Sequence, residues 1–304
     1  MNPSNQVSLF GLKNFFNEFI RLYKSDILPN KILLSGPKGI GKCTLSYHLI
    51  NYIFSVQEQF SYNLEKNLIN PENRSFKLIQ NNSHPNFILI DINPEKKNIE
   101  ISQVRTMIEK LNKSSFNDQP RFILIDNIQY MNLNSINALL KILEEPNSNV
   151  YFILINNNRK ILPTLKSRCI NFKIILSNNE ISDVCKKLFK NDISDIINKD
   201  LLDYYFTPGK VFNLIQFASE NSIDIKNISL DELLYLIISK NYYKKDLLIK
   251  DFLMDYFQLF LINSKKFRNI DLYDYFVKQY SNVKRFNLDE ETFFIEFKQK
   301  LLNV

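Results

Sequence analysis

Short apolar runs punctuate the first 175 residues: Lys31 to Ser35, Asn86 to Asp91, Arg121 to Asp126, Val150 to Ile155 and Ile170 to Ile175, each five or six residues long. They are rich in Ile, Leu, Phe and Val, as strands buried on both faces should be. Between them, Lys42 to Phe54, Ile101 to Asn112 and Asn134 to Leu143 place apolar residues three and four apart, as helices do. This alternation predicts a parallel sheet covered by helices. Beyond about residue 176 the strand-like runs stop. Ile181 to Leu188, Gly209 to Ser219, Asp231 to Ile238, Leu247 to Ile262 and Leu288 to Leu302 carry helical spacing, with Asn287 and Glu290 as a capping box for the last helix.

Polar stretches at Ser177 to Glu180 and Ser219 to Ser229 divide the chain into a core of residues 1–175, a small helical domain of 176–225 and a terminal bundle of 226–304. The segment from Gln57 to Ser83 is polar and fits neither period. No run of about 18 apolar residues occurs, and the N-terminus is polar, so neither a membrane span nor a signal peptide is expected and the cytoplasm is the expected location.

The net charge of +7 changes this picture in one respect, because the surplus is confined to the first half. Residues 1–170 hold 20 Lys and Arg against 13 Asp and Glu, whereas residues 171–304 hold 19 of each. That balance suits a phosphate ligand or a solvated lysine-rich surface, and falls short of a concentrated DNA-binding stripe. Cys43, Cys169 and Cys185 are far apart and the histidines are His48 and His84, so no local metal-ligand cluster can form and no structural zinc is expected.

Gly36-Pro37-Lys38-Gly39-Ile40-Gly41-Lys42 follows a predicted strand and opens a predicted helix, the context of a phosphate-binding loop. Glycine backbone can close around phosphate oxygens, the helix N-terminus adds positive potential, and Lys42 reaches the outer phosphates. ATP is therefore the candidate ligand. The residue after the lysine should offer a hydroxyl to Mg²⁺, but it is Cys43, a poor ligand for a hard cation. Thr44 lies about 100° further round the helix and is no simple substitute. Asp126 ends an apolar strand where a second magnesium-organising acid belongs. Asn127 follows it, and an amide cannot accept a proton at neutral pH.

Asn137-Ala-Leu-Leu-Lys-Ile-Leu-Glu-Glu-Pro146, followed by Leu165-Lys-Ser-Arg-Cys169, resembles the paired signature of bacterial clamp-loader ATPases of the AAA+ class. Ser83-His84-Pro85 and Ile99 to Arg105 are similar to the delta-prime type in particular. The likeness covers roughly residues 1–215. It departs from the family in lacking the four-cysteine zinc module, whose place Gln57 to Ser83 takes, and in Asn127, where the family usually has a Glu.

The resemblance implies an AAA+ core, a helical lid and a C-terminal collar within a ring of gamma/tau- and delta-type subunits. Such a complex opens a sliding clamp and places it on primed DNA within the DNA polymerase III holoenzyme, a nucleotidyltransferase. This chain would be its stator, joining no nucleotides and hydrolysing little or no ATP itself. Arg168 would be an arginine finger for a neighbour's ATP site, although a lone Arg near a strand start could equally be an ion-pair partner. Asn156 matches the polar sensor position with a one-residue gap, and Lys210 of Pro208-Gly209-Lys210 matches the second sensor in place of Arg. Two other classes stay open: a competent gamma/tau-type motor subunit, disfavoured by Cys43 and Asn127, and a P-loop enzyme acting on a small molecule.

Overall fold

The computed structural model describes residues 2–93, 96, 98–112, 118–144, 149–202, 206–245, 247–263, 270–286 and 288–302. They gather into two compact units, one of residues 1–184 with 207–209 and the other of 185–206 with 210–304. The boundaries read from polar stretches, at 175 and 225, remain a sequence-based division.

The first unit is built on a five-stranded parallel sheet. Its strands are β1 (Lys31–Ser35), β2 (Phe87–Ile90), β3 (Arg121–Ile125), β4 (Val150–Asn156) and β5 (Ile170–Lys173), in the spatial order β2-β3-β4-β1-β5. Each falls within a residue or two of its apolar run. β1 pairs with β4 on one side and β5 on the other, with Ser35 opposite both Asn156 and Lys173.

Helices α1 (Lys13–Lys24), α2 (Lys42–Ser55), α3 (Arg74–Gln80), α4 (Ile101–Leu111), α5 (Leu133–Glu144), the short α6 (Pro163–Lys166) and most of α7 (Asn178–Phe189) complete this unit. The strand period decides which helices meet which side chains. Ile123 and Ile125 pack in one core with Val104 and Met107 of α4 and Leu139 and Leu143 of α5. The intervening Phe122 meets Phe54 of α2 edge-on at 5.6 Å, and Phe19 of α1 meets Phe172 at 4.8 Å. Helices therefore cover both faces, and β3 is fully buried from Phe122 to Ile125. Burying each such side chain contributes about 1.5–3 kcal/mol.

The polar segment that resisted assignment is held by a hydrogen-bonded cluster. Glu58 accepts from Asn73 Nδ2 (2.7 Å), from the backbone N–H groups of Arg74 (3.0 Å) and Ser75 (3.3 Å), and from Ser75 Oγ (2.5 Å). Asn73 itself caps α3 through Phe76 N–H. His84 stacks on Phe54 with ring centroids 4.1 Å apart and lies 3.2 Å from Ser75 Oγ. Buried polar groups of this kind are stable only when paired, and here the carboxylate collects four donors.

The second unit comprises α8 (Ile193–Ile196), α9 (Pro208–Glu220) after its first two residues, α10 (Leu230–Ser239), α11 (Tyr242–Lys245), α12 (Leu247–Asn263), α13 (Ile270–Phe286) and α14 (Glu290–Leu301). Phe257, Phe260 and Phe276 surround Phe297, with centroids 4.3, 5.2 and 5.3 Å away, so the aromatics of the last helices form a core. The expected cap of the last helix needs correction. Asn287 lies outside the described residues, and Asp289 caps α14, accepting from Glu291 N–H, Thr292 N–H and Thr292 Oγ1. A carboxylate there satisfies several donors and complements the helix dipole. Among the described residues, no helix is long and apolar enough to cross a membrane.

Candidate functional site

The site forms at the C-terminal ends of the parallel strands, where open α/β sheets hold ligands. From Ser35 the chain turns through Gly36 to Gly41 and enters α2 at Lys42. Gly41 is the N-cap with φ of 101°, a backbone that side-chain-bearing residues rarely adopt, and no side chain caps the helix. Lys42 is only 3% exposed. Its ammonium donates to the carbonyls of Gly36 (2.8 Å) and Pro37 (2.6 Å), so the loop folds around it. Burial lowers its pKa to about 8, against the opposing pull of Asp126 and Cys43.

A distant segment closes on this loop. Thr207 Oγ1 donates to Lys38 O at 2.7 Å, and Gly209 N–H donates to Gly39 O at 2.8 Å. A Cβ on Gly209 would stand 2.7 Å from Gly39 Cα, so only glycine permits this approach. The next residue, Lys210, pairs with Asp255 of α12 at 2.6 Å.

Beside the loop, burial and the charge of the neighbouring Asp126 carboxylate raise the pKa of the Cys43 thiol well above its ordinary value. Asp126 is itself pushed up to about 6, first by burial and then by the charge of Asp91. Its Oδ1 also accepts from Asn127 N–H at 2.7 Å. Thr44 is half-buried on α2 and is no part of this pair. The loop, the α2 N-terminus and Lys42 fit a nucleotide's phosphates. The donor set does not fit a magnesium ion, which requires hard oxygen ligands: a thiol, Cys43, occupies the position where a hydroxyl belongs.

Asn127 adopts the left-handed conformation at φ of 57° and is engaged at both ends of its amide. Its Nδ2 donates to Asp91 Oδ1 at 2.9 Å, and its Oδ1 accepts from Asn157 Nδ2 at 2.8 Å and from Gln129 Nε2 at 3.3 Å. Asn156 ends β4, donates Nδ2 to Arg159 O at 2.9 Å, and keeps a buried Oδ1 with no donor among the described residues. It is thus the neighbouring Asn157 that reaches Asn127.

Arg168 stands between α6 and β5. Its two terminal nitrogens donate to Thr164 O at 2.9 Å and to Glu144 Oε1 at 2.5 Å. The structure therefore brings together Gly36, Gly39, Gly41, Lys42, Cys43 and Asp126, and gives Arg168 and Lys210 ion-pair partners of their own. Glu145 and Pro146 of the signature lie outside the described residues. Sequence reasoning missed Asp91, Gln129, Asn157 and Thr207. Asp91 carried a usable signal, since it follows β2 as Asp126 follows β3.

A family model described as DNA polymerase III, delta subunit, matches residues 11–177. The DNA polymerase III subunit delta' of Buchnera aphidicola subsp. Schizaphis graminum is 27% identical over 285 residues, covering 88% of this chain and 84% of that relative. The DNA polymerase III subunit gamma of the same organism is 30% identical over 207 residues, 64% of this chain but only 54% of the relative. A solved gamma subunit-related protein from Thermotoga maritima covers 94% of this chain and 95% of its own, at 17% identity and a TM-score of 0.47.

Proposed function

The chain belongs to the DNA polymerase III delta-subunit family, among its delta-prime members, and from that premise we propose that it is the stator of a clamp loader. It works in a hetero-oligomeric ring with gamma/tau- and delta-type subunits, whose nucleotide chemistry opens a sliding clamp and places it on primed DNA. The observation that carries this reading is the site around Lys42. The loop and Lys42 offer a cradle for phosphates, while a thiol, Cys43, stands where a hydroxyl belongs and Asn127 is locked between Asp91 and Asn157. Such a site holds ATP through the first-turn amides of α2 and Lys42, and turns it over negligibly.

In the ring, Arg168 is the group that this chain contributes to catalysis, stabilising charge on a neighbour's phosphoryl oxygens. Asn156 and Lys210 are the sensor candidates. Titration with labelled ATP, paired with steady-state ATPase of the chain alone and in the reconstituted complex, tests the whole reading. Binding without turnover by the isolated chain is expected, together with complex ATPase that falls in Arg168→Ala. Robust magnesium-dependent turnover by the isolated chain, abolished by Lys42→Ala, would identify a motor subunit instead.

A further inference from the structure

Arg168 projects from the short link between α6 and β5, and a guanidinium there is useful to a neighbouring subunit only if something aims it. We propose that Glu144 is the positioning residue that presents Arg168 to the neighbour's nucleotide, an inference that rests on the finger reading of Arg168. Glu144 is the last described residue of α5, in the C-terminal half of the helix, where the dipole disfavours an acid unless a cation accompanies it. The cation is Arg168, whose NH2 meets Glu144 Oε1 at 2.5 Å while NH1 meets the Thr164 carbonyl at 2.9 Å. Two fixed points on two helices define the plane of the guanidinium.

That plane still has donors to offer. A guanidinium carries five N–H groups. Thr164 O engages one on NH1 and Glu144 Oε1 engages one on NH2, which leaves three. The pair also meets solvent, with side-chain exposures of 32% for Arg168 and 53% for Glu144, so an incoming oxyanion can reach it. An Arg held in this way loses less freedom on meeting phosphate than a loose one. Rate falls steeply when a group that must meet the transition state is misaimed.

The test uses the complex reconstituted from the full chain and its ATPase partners, with ATP as substrate. Glu144→Ala is expected to lower the DNA- and clamp-stimulated kcat between about 3- and 30-fold, leaving the KM for ATP and the sedimentation of the complex unchanged. Glu144→Gln, whose amide oxygen can still accept, should fall between wild type and Glu144→Ala. The double variant Glu144→Ala with Arg168→Ala should be no slower than Arg168→Ala alone, because the carboxylate acts through the guanidinium. A normal or raised kcat in Glu144→Ala, with Arg168→Ala still slow, overturns the positioning role and leaves the finger standing. Additive losses in the double variant overturn it too, since they assign Glu144 a separate structural effect. A wild-type rate in Arg168→Ala removes the finger reading and this inference together.

Discussion

Asn127 and Asp91 share a hydrogen bond of 2.9 Å, from the Asn127 amide to Asp91 Oδ1, that ties the end of β3 to the end of β2. Because Asn157 donates to the other end of the same amide, Asn127 is a bridge of three strand ends rather than a vacant catalytic base. A carboxylate could accept from Asn157 but would confront Asp91 with a second negative charge. Asn127→Asp is therefore expected to destabilise the protein by about 1–3 kcal/mol without creating ATPase activity. Denaturant unfolding and a steady-state assay check both halves.

Lys42 carries a pH dependence. With its pKa lowered to about 8 by burial, the free protein loses the ammonium as pH rises through that value. Nucleotide phosphates favour the charged form, so affinity should hold between pH 7 and 8 and then fall by up to about tenfold per pH unit. Calorimetric titration with ADP between pH 7 and 9.5 would show this, with proton uptake on binding at the upper end. An affinity unchanged at pH 9 would contradict it.

Acid sensitivity should come from His48 and His84. Both are buried, and desolvation holds both down to about 4 from an ordinary value of 6.5. The folded state keeps them neutral while the unfolded chain takes up protons below about pH 6.5, so stability is lost as pH falls from 6.5 toward 4. The loss is up to about 3 kcal/mol for each histidine. Thermal melts at pH 7, 6 and 5 measure it, and an unchanged melting temperature would exclude it.

The contact between Gly209 and Gly39 makes a steric prediction. An added methyl would collide with backbone, 2.7 Å from Gly39 Cα, so Gly209→Ala should cost about 1–3 kcal/mol. It should also weaken ATP binding, because the loop must shift. Thr207→Val removes one hydrogen bond to Lys38 O and should cost about 1 kcal/mol. Melting temperatures and labelled-ATP titration of the two variants rank them.

Legibility in the sequence followed physical range. The inner strands β1, β3 and β4 were readable because both faces are buried, which forces uninterrupted apolar runs such as Phe122 to Ile125, whereas the edge strands β2 and β5 leave Leu89 and Ile170 exposed and showed only as short runs rich in Ile, Leu and Phe. Gly36 to Lys42 was readable because the turn from β1 into α2 is made by consecutive residues, with glycine at the positive-φ positions 39 and 41. What escaped was assembled from afar. Glu58, Asn73, Ser75 and His84 are ordinary polar residues until folding brings them together, so 57–83 looked featureless. Asn157 carries no sequence mark of its own, since one residue of register decides which amide reaches Asn127. Glu144 stood inside the quoted signature, but its partner comes 24 residues later and no helical period links them.

The Thr207 to Lys38 hydrogen bond spans 169 residues and so orders events during synthesis. A nascent chain that has already delivered all five strands, the last ending at Lys173, still lacks the segment that closes on the phosphate loop. The sheet can be complete while its ligand loop is unfinished. Closure of the loop, on this geometry, comes only after the chain has been made well past the sheet, as the helices of the second unit begin to emerge.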